Sequence, residues 1–308
     1  MPTPQMRRHM SQWGGVVDNS ANEWNFQFVT TGGDLTVTPV ITRHGGAGTA
    51  TWIWGDGSPN SVGDAPNHTY PGVGTYNVTL QITDIDTALD GINFAGDGLV
   101  CTLASLPRGM TWLEAFNEGD CVVSGALANM PAGMTRVVLG GTSSTFTGAL
   151  TDLPVGMTWF NLGATSVALT GQIADLPAGI IYFILRQTLS TISGALANMP
   201  VGMQTMSLYS MTSLSLTGGA AVGAAGIRSL TIQDNAMAQV QMESIALWGY
   251  TYRASFTFGA PSMNMGGTND NPGGVYQDAS PPTTALERVF KVVNDPDAEG
   301  FNKWAWTY

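Results

Sequence analysis

The chain has 308 residues, of which 44% are hydrophobic and only 11% are charged, and it contains 39 glycines. This composition predicts a folded, turn-rich protein of mainly β structure and argues against disorder. With 22 acidic against 11 basic residues the net charge is −11, which disfavours nucleic-acid binding because no basic face is available to neutralise phosphates.

Residues 1–22 contain no apolar run of the kind that forms the centre of a signal peptide. No stretch of the chain approaches the ~20 consecutive apolar residues of a membrane helix. We therefore expect an N-terminal arm that is neither a secretion signal nor a membrane anchor.

Residues 23–85 form short alternating apolar segments separated by Gly, Asn and Pro, which is the pattern of a small β-sandwich. A tight aromatic and glycine motif lies in the middle of this region and a histidine and tyrosine motif follows it. The motif residues are Trp52, Trp54, Gly55, Asp56, Gly57, His68, Tyr70 and Tyr76. Further along, Val78, Leu80 and Ile82 continue the alternation that starts at Tyr76 and predict one buried strand face.

These residues resemble the signature of the polycystic kidney disease (PKD) module. The resemblance implies an immunoglobulin-like spacer or interaction module of the kind found on extracellular and surface proteins, and it implies no catalytic chemistry. Gly55 and Gly57 permit the positive φ of a tight turn, and the Asp56 carboxylate can accept backbone N–H groups there. We interpret Asp56 and His68 as structural residues.

The two cysteines, Cys101 and Cys121, lie 20 residues apart with no histidine cluster near them, so they build neither a zinc site nor a redox motif. Two buried free thiols are expected, and a disulfide is the alternative.

Residues 86–236 contain a repeat of 23 to 24 residues. Six glycines, most of them in a Pro-x-Gly sequence, mark it at Gly109, Gly133, Gly156, Gly179, Gly202 and Gly226. Apolar residues recur one, four and six residues after each glycine, and ten and six residues before it. A constant Ser/Thr-Gly pair lies between the two preceding apolar columns.

The repeat pattern resembles the leucine-rich repeat family. The resemblance implies a solenoid in which each repeat contributes one short parallel strand and returns through a turn and a helical or 3₁₀ segment. Two features depart from the family: methionine replaces the first leucine in four of six repeats, and the buried asparagine after the strand occurs only at Asn235. Ser/Thr hydroxyls are the candidates to bond the turn backbone in its place, and a β-helix of similar period is the alternative fold.

Residues 237–308 lose the repeat and predict a C-terminal α/β cap. We expect a helix over 239–247, a strand over 254–259, a second helix over 284–293 and a strand over 303–308. Trp304 and Trp306 are expected to seal the end of the core.

The strand positions three and five residues after each glycine should point away from the core, toward the concave face of the solenoid. They form a candidate binding stripe of Trp112, Glu114, Arg136, Trp159, Asn161, Tyr182 and Ile184. Large aromatics with an arginine are typical of binding surfaces. Two interpretations stay open: another part of the protein or another protomer covers the stripe permanently, or the stripe binds a protein or a glycan reversibly.

The sequence favours a protein that is not an enzyme. It has three histidines, none of them in the repeats, and no nucleophile elbow, P-loop or metal-binding motif. No cofactor and no metal are expected.

Two functional classes remain: a structural protein of a tailed-phage virion, displayed on capsid or tail, and a bacterial surface adhesin or glycan-binding protein. Residues 266–290 resemble the tail of repeat proteins encoded by tailed phages and by bacteria of the Bacteroidetes type. The absence of an export signal favours the virion, assembled in the host cytoplasm, over the cell surface. Arg7, Arg8 and Trp13 are then the candidate docking residues. The expected partners are other virion proteins, further copies of the chain and a host-surface protein or glycan.

Overall fold

The computed structural model describes residues 22–30, 35–46, 48–94, 98–116, 121–140, 144–163, 167–186, 189–211, 213–221, 223–252, 255, 262–264, 269 and 306–307. These residues are mainly β structure. Up to Gln81, the described residues include seven strands. They are β1 (Glu23–Thr30), β2 (Thr36–Val37), β3 (Val40–Arg43), β4 (Thr51–Ile53), β5 (Ser61–Val62), β6 (His68–Thr69) and β7 (Gly74–Gln81).

A short helix, α1 (Ile85–Ala88), and strand β8 (Leu89–Asn93) lead into the repeat region, where the chain passes alternately through two sheets. Sheet 1 receives β9 (Gly98–Thr102), β11 (Val122–Ala126), β13 (Thr145–Ala149), β15 (Ala168–Gln172), β17 (Thr191–Ala195) and β19 (Ser213–Thr217). Sheet 2 receives β10 (Trp112–Phe116), β12 (Arg136–Gly140), β14 (Trp159–Gly163), β16 (Tyr182–Arg186), β18 (Thr205–Tyr209) and β20 (Ser229–Thr231). The repeat strands are parallel within each sheet.

Both sheets run without interruption from the N-terminal sandwich into the repeats. In sheet 1, β1 pairs antiparallel with β7 on one side and with β9 on the other. In sheet 2, β3 pairs antiparallel with β8, which pairs in parallel with β10. Strand pairing therefore continues across the boundary drawn at residues 85 and 86, and one core cluster of buried side chains extends from Trp24 to Trp248.

Each repeat contributes two parallel strands, so the prediction of a single strand per repeat is wrong. The second strand contains the Ser/Thr-Gly pair. Four of its glycines have positive φ inside or at the end of the strand: Gly125 (132°), Gly148 (123°), Gly171 (140°) and Gly194 (116°). Because glycine alone adopts this backbone region readily, the pair resembles a turn in sequence although it lies in a strand.

The Pro-x-Gly sequences form the turns that enter the sheet 2 strands. In each of the five Pro-x-Gly sequences of the repeat region, the residue after the glycine donates its backbone N–H to the proline carbonyl. Met157, for example, donates to Pro154 at 2.9 Å. The glycines of these turns do not have positive φ. The predicted apolar columns are buried, except that Ala220, six residues before Gly226, is exposed.

Serine hydroxyls bond the turn backbone where the sequence lacks asparagine. Ser144 Oγ accepts from Val123 N at 3.1 Å and donates to Cys121 O at 3.3 Å. Ser190 does the same with Leu169 N at 3.0 Å and with the carbonyl of residue 167 at 3.2 Å. Toward the C-terminal end, asparagines take over this role: Asn235 bonds Met211 N and Leu208 O, and Asn269 bonds Ile232 O and Asn235 N.

Helix α2 (Gln239–Tyr252) lies against β19, the edge strand of sheet 1. Ser244 Oγ accepts from Gly218 N at 3.0 Å and Trp248 Nε1 donates to Ala221 O at 2.8 Å. The contact is close, since a Cβ on Gly218 would lie 2.2 Å from the Trp248 Cβ. A helix over an edge strand blocks the unpaired backbone groups that invite aggregation.

Strands β21 (Ser262–Asn264) and β22 (Trp306–Thr307) extend sheet 2 beyond β20. The predicted helix begins where expected and continues five residues further than predicted. The predicted helix over 284–293 and Trp304 lie outside the described residues, as does most of the strand predicted over 254–259.

Candidate interaction surface

Strand register brings four large side chains into one line on the outer face of sheet 2. Trp112 is paired with Arg136, Arg136 with Trp159, and Trp159 with Tyr182. We call these four residues the aromatic row. Because neighbouring strands lie ~4.8 Å apart, side chains at paired positions can contact directly.

Trp159 is stacked between its two neighbours in the row. The guanidinium carbon of Arg136 lies 4.0 Å from the Trp159 ring centroid, and the Tyr182 and Trp159 ring centroids are 3.9 Å apart at 26°. Arg136 and Tyr182 belong to strands on opposite sides of β14, so both faces of the indole are covered. The Trp159 Nε1 atom is shielded and has no hydrogen-bond partner among the described residues.

The charge of Arg136 is balanced within the same face. Arg136 Nε donates to Glu114 Oε1, and Asn93 Nδ2 donates to Glu114 Oε2 at 3.2 Å. Glu114 is therefore bonded from both sides by residues on adjacent strands. This arrangement holds the guanidinium group in the orientation that stacks on Trp159.

Trp112 leans in the other direction, over β8. A Cβ on Gly91, its register partner, would lie 2.2 Å from the Trp112 ring. Trp112 Nε1 donates to Thr42 Oγ1 at 3.2 Å. Thr42 in turn donates to Asp90 Oδ2 at 3.3 Å, so Trp112 connects the repeats to the N-terminal sandwich.

The line next to the aromatic row contains Asn161 and Ile184, with Val138 between Glu114 and Asn161 by register. Val138 is buried although it points to the outer face. All seven residues of the candidate stripe are partly buried. Within the row, Arg136 and Tyr182 each contact Trp159, and Trp112 packs over β8.

The residues of the N-terminal motif form a compact structural network. His68 stacks on Trp54 with ring centroids 4.4 Å apart, and Tyr70 stacks on Tyr76 at 4.0 Å. The Trp52 and Trp54 rings also stack, and Trp54 Nε1 donates to a serine hydroxyl at 2.9 Å. These contacts use the motif side chains for packing.

The glycine and aspartate of the motif shape its turn. Gly55 has φ 79°, and a Cβ there would lie 2.1 Å from Asn77 O; Gly57 has φ 85°. Asp56 Oδ1 accepts from Ser58 N at 2.9 Å, and Asp56 Oδ2 lies 3.0 Å from His68 Nε2. Burial of the carboxyl opposes ionisation, but the hydrogen bonds from Ser58 and His68 outweigh it and lower the pKa of Asp56.

Cys101 and Cys121 are buried free thiols. Burial raises the pKa of Cys121 to about 12 and that of Cys101 well above its usual value. Among the described residues no group of three or more His, Cys, Asp or Glu side chains is arranged to hold a metal ion. Within the same part of the chain, no helix is long and apolar enough to cross a membrane. Arg7, Arg8 and Trp13 lie outside the described residues.

Sequence reasoning missed strand β8 and with it Gly91, which makes room for the Trp112 ring, and Asn93, which bonds Glu114. The signal was present: Leu89, Ile92 and Phe94 have the same spacing as the apolar columns of the repeats, and Ile92 is in register with a repeat leucine. No Pro-x-Gly sequence precedes β8, so a search for that sequence cannot find it.

Comparison with known proteins identifies the N-terminal sandwich. Residues 24–91 match the family described as "PKD domain". This module is immunoglobulin-like. The match covers less than a quarter of the chain and ends at Gly91, inside β8, so the PKD domain contributes β3 and the first part of β8 to the sheet that carries the aromatic row. No curated protein and no solved structure matches the chain.

Proposed function

We propose that the chain is a non-enzymatic structural and interaction protein of a tailed-phage particle, and that the aromatic row is a surface through which it contacts another protein. The observation that carries the proposal is the ordered stacking of Arg136, Trp159 and Tyr182 on a sheet face. Tryptophan, tyrosine and arginine are the residues most enriched at energetically dominant interface positions.

The side chains of the row are held in place before a partner binds, and this lowers the entropic cost of binding. A side chain that must be immobilised on binding costs about 0.5–1.5 kcal/mol of conformational entropy. In the row, Arg136 is already fixed by Glu114, and Trp159 by its neighbours on both sides. A partner that docks here meets a surface that loses little further freedom.

A protein partner fits the row better than a glycan. A sugar ring packs on an aromatic side chain by lying against an open ring face, and both faces of Trp159 are covered. The Trp159 ring is therefore closed to stacking by a sugar, and beside it lies a guanidinium group whose charge is balanced by Glu114. Such a mixed surface suits the side chains and backbone of another protein.

The proposal includes a repeat solenoid over 86–236 and an α/β cap over 237–308. Parallel strands in constant register support the first, and helix α2 on β19 supports the second. The two strands per repeat favour an arrangement closer to the β-helix alternative than to a leucine-rich repeat. A solenoid joined to the PKD domain through both sheets would give a stiff element that presents the row at a fixed distance from its attachment point.

Residues 266–290 resemble the tail of repeat proteins encoded by tailed phages and by bacteria of the Bacteroidetes type, and we infer the phage setting from the first of these two resemblances. The experiment that tests it is quantitative mass spectrometry of density-purified particles and of separated cell-envelope fractions. We expect the chain in particles, with hundreds of copies per particle for a capsid protein and a few to tens for a tail protein. Absence from particles with enrichment in the envelope would contradict the proposal and favour a bacterial adhesin.

A further inference from the structure

A groove of ≈ 200 Å³ opens on the outer face of sheet 1, on the opposite sheet from the aromatic row. It lies where β1 of the PKD domain meets β9 of the repeat region. We call it the junction groove. Its polar lining residues are Asn25, Gln27, Asn77, Thr102, Ser105 and Ser124.

The groove exists because the two strands separate. β1 is eight residues long, but only Gln27, Phe28 and Val29 are paired with β9, opposite residues 98–100. Beyond the pair Gln27 and Val100, β1 and β9 are no longer paired with each other. There β1 remains paired with β7 on its other side, and β9 is paired with β11. Asn25 and Thr102, each two residues beyond that pair, therefore line opposite sides of the opening.

The two walls have complementary chemistry. Amide side chains from β1 and β7 form one wall, and the hydroxyl groups of Thr102 and Ser124 form the other, next to Ser105, whose hydroxyl is bonded to the Thr102 backbone. Gln27 Nε2 donates to Asn77 Oδ1 at 2.8 Å, which fixes both amides and leaves the Gln27 carbonyl oxygen and the Asn77 NH₂ group for a ligand. None of the lining residues is charged.

We propose that the junction groove binds a neutral sugar residue of a polysaccharide. Each sugar hydroxyl both donates and accepts hydrogen bonds, and the walls offer donors and acceptors of both kinds. The lining lacks the cation that a phosphate or carboxylate ligand requires, and it lacks the carboxylates that a metal ion requires. The site is separate from the aromatic row and does not rest on the function proposed for that row.

The face beyond the groove suits a chain of sugars rather than a single one. On β9 and the strands that follow it, register places outward hydroxyl groups side by side: Thr102 with Ser124, Ser124 with Thr145, and Thr170 with Thr191. These hydroxyl groups recur on successive strands ~4.8 Å apart and add no charge. A polysaccharide seated in the groove can therefore continue across the repeats.

The test measures binding of the full chain to immobilised dextran, mannan and galactan, with the anionic polysaccharide hyaluronate and an unstructured polar peptide as comparison probes. The variants are Asn77→Ala and Thr102→Val, and Thr205→Val is the matched control because it removes the same hydroxyl from the opposite sheet. We expect one of the neutral polysaccharides to bind with an affinity that salt does not change.

Each groove variant should weaken that binding about 2- to 10-fold, the range expected for loss of one hydrogen bond, and Thr205→Val should leave it unchanged. Circular dichroism of each variant checks that the fold is intact. The proposal is overturned if the chain binds none of the three neutral polysaccharides, if it prefers hyaluronate or the peptide, or if folded groove variants bind as well as the original chain.

Discussion

The guanidinium group of Arg136 lies over the Trp159 ring, 4.0 Å from its centroid, and the two residues are directly paired on adjacent parallel strands. A cation over an aromatic face at a partly exposed position contributes about 0.5–1 kcal/mol. The contact is thus large enough to order the row and small enough that the fold does not depend on it.

We predict a coupling of about 0.5–1 kcal/mol between these two residues. The measurement is a double-mutant cycle of Arg136→Ala and Trp159→Ala, with the free energy of unfolding determined in urea. Arg186→Ala, an exposed arginine on the neighbouring strand, is the control and should show no coupling to Trp159. A coupling indistinguishable from that of the control would mean that Arg136 and Trp159 do not interact in solution.

Gly91 should tolerate no side chain while Trp112 is present. A Cβ there would lie 2.2 Å from the indole, so Gly91→Ala must move the ring and break its hydrogen bond to Thr42. We expect a loss of about 1–2 kcal/mol in the free energy of unfolding. The same substitution in a Trp112→Ala background should cost much less, and an equal cost in both backgrounds would show that the ring does not lie over Gly91.

Replacing a glycine of the second strand by alanine should change the free energy of unfolding much more than replacing a glycine of the turns. Gly171→Ala places a Cβ at φ 140° and 3.1 Å from Leu150 Cβ, whereas a Cβ at Gly179 meets nothing within 4 Å. We expect Gly171→Ala to lower the free energy of unfolding by about 1–3 kcal/mol and Gly179→Ala to leave it unchanged or raise it slightly. Equal effects would contradict the two-stranded repeat.

Gly171 and Gly179 also show how much of the fold the sequence predicts. The period of the repeat, the buried columns and the outward positions of Trp159 and Tyr182 are all readable, because alternation in a half-buried strand reports which face is buried. The second strand is not readable, because Gly171 interrupts it with a backbone conformation that sequence patterns assign to turns.

The strand pairing between the PKD domain and the repeat region could not be predicted from the sequence either. The PKD motif predicts a separate sandwich, and nothing in it indicates that β1 pairs with β9 or β3 with β8. Long-range strand pairing depends on which edges are left open after local folding, and a single sequence does not specify those edges. The position of Trp112 likewise depends on a residue of a neighbouring strand, because its ring occupies the space that a side chain at Gly91 would fill.

The buried carboxylate of Asp56 should make the PKD domain sensitive to acid. Its pKa is lowered in the folded chain, so its contribution to stability is fully present above the unfolded value of about 3.9 and is lost as the pH falls through the lower folded value. Asp56→Asn should therefore destabilise most at neutral pH. The difference in the free energy of unfolding from the original chain should shrink below about pH 4, and a difference that stays constant with pH would contradict the assignment.

The central claim is that the aromatic row is a contact surface rather than part of the core. The most direct measurement is co-sedimentation of the purified chain with particles produced without it, comparing the original chain with a variant in which Trp112, Trp159 and Tyr182 are all alanine. We expect the variant to fold, as judged by circular dichroism and urea unfolding, and to sediment with particles much less than the original chain. A folded variant that sediments equally well would contradict the claim, as would a variant that fails to fold.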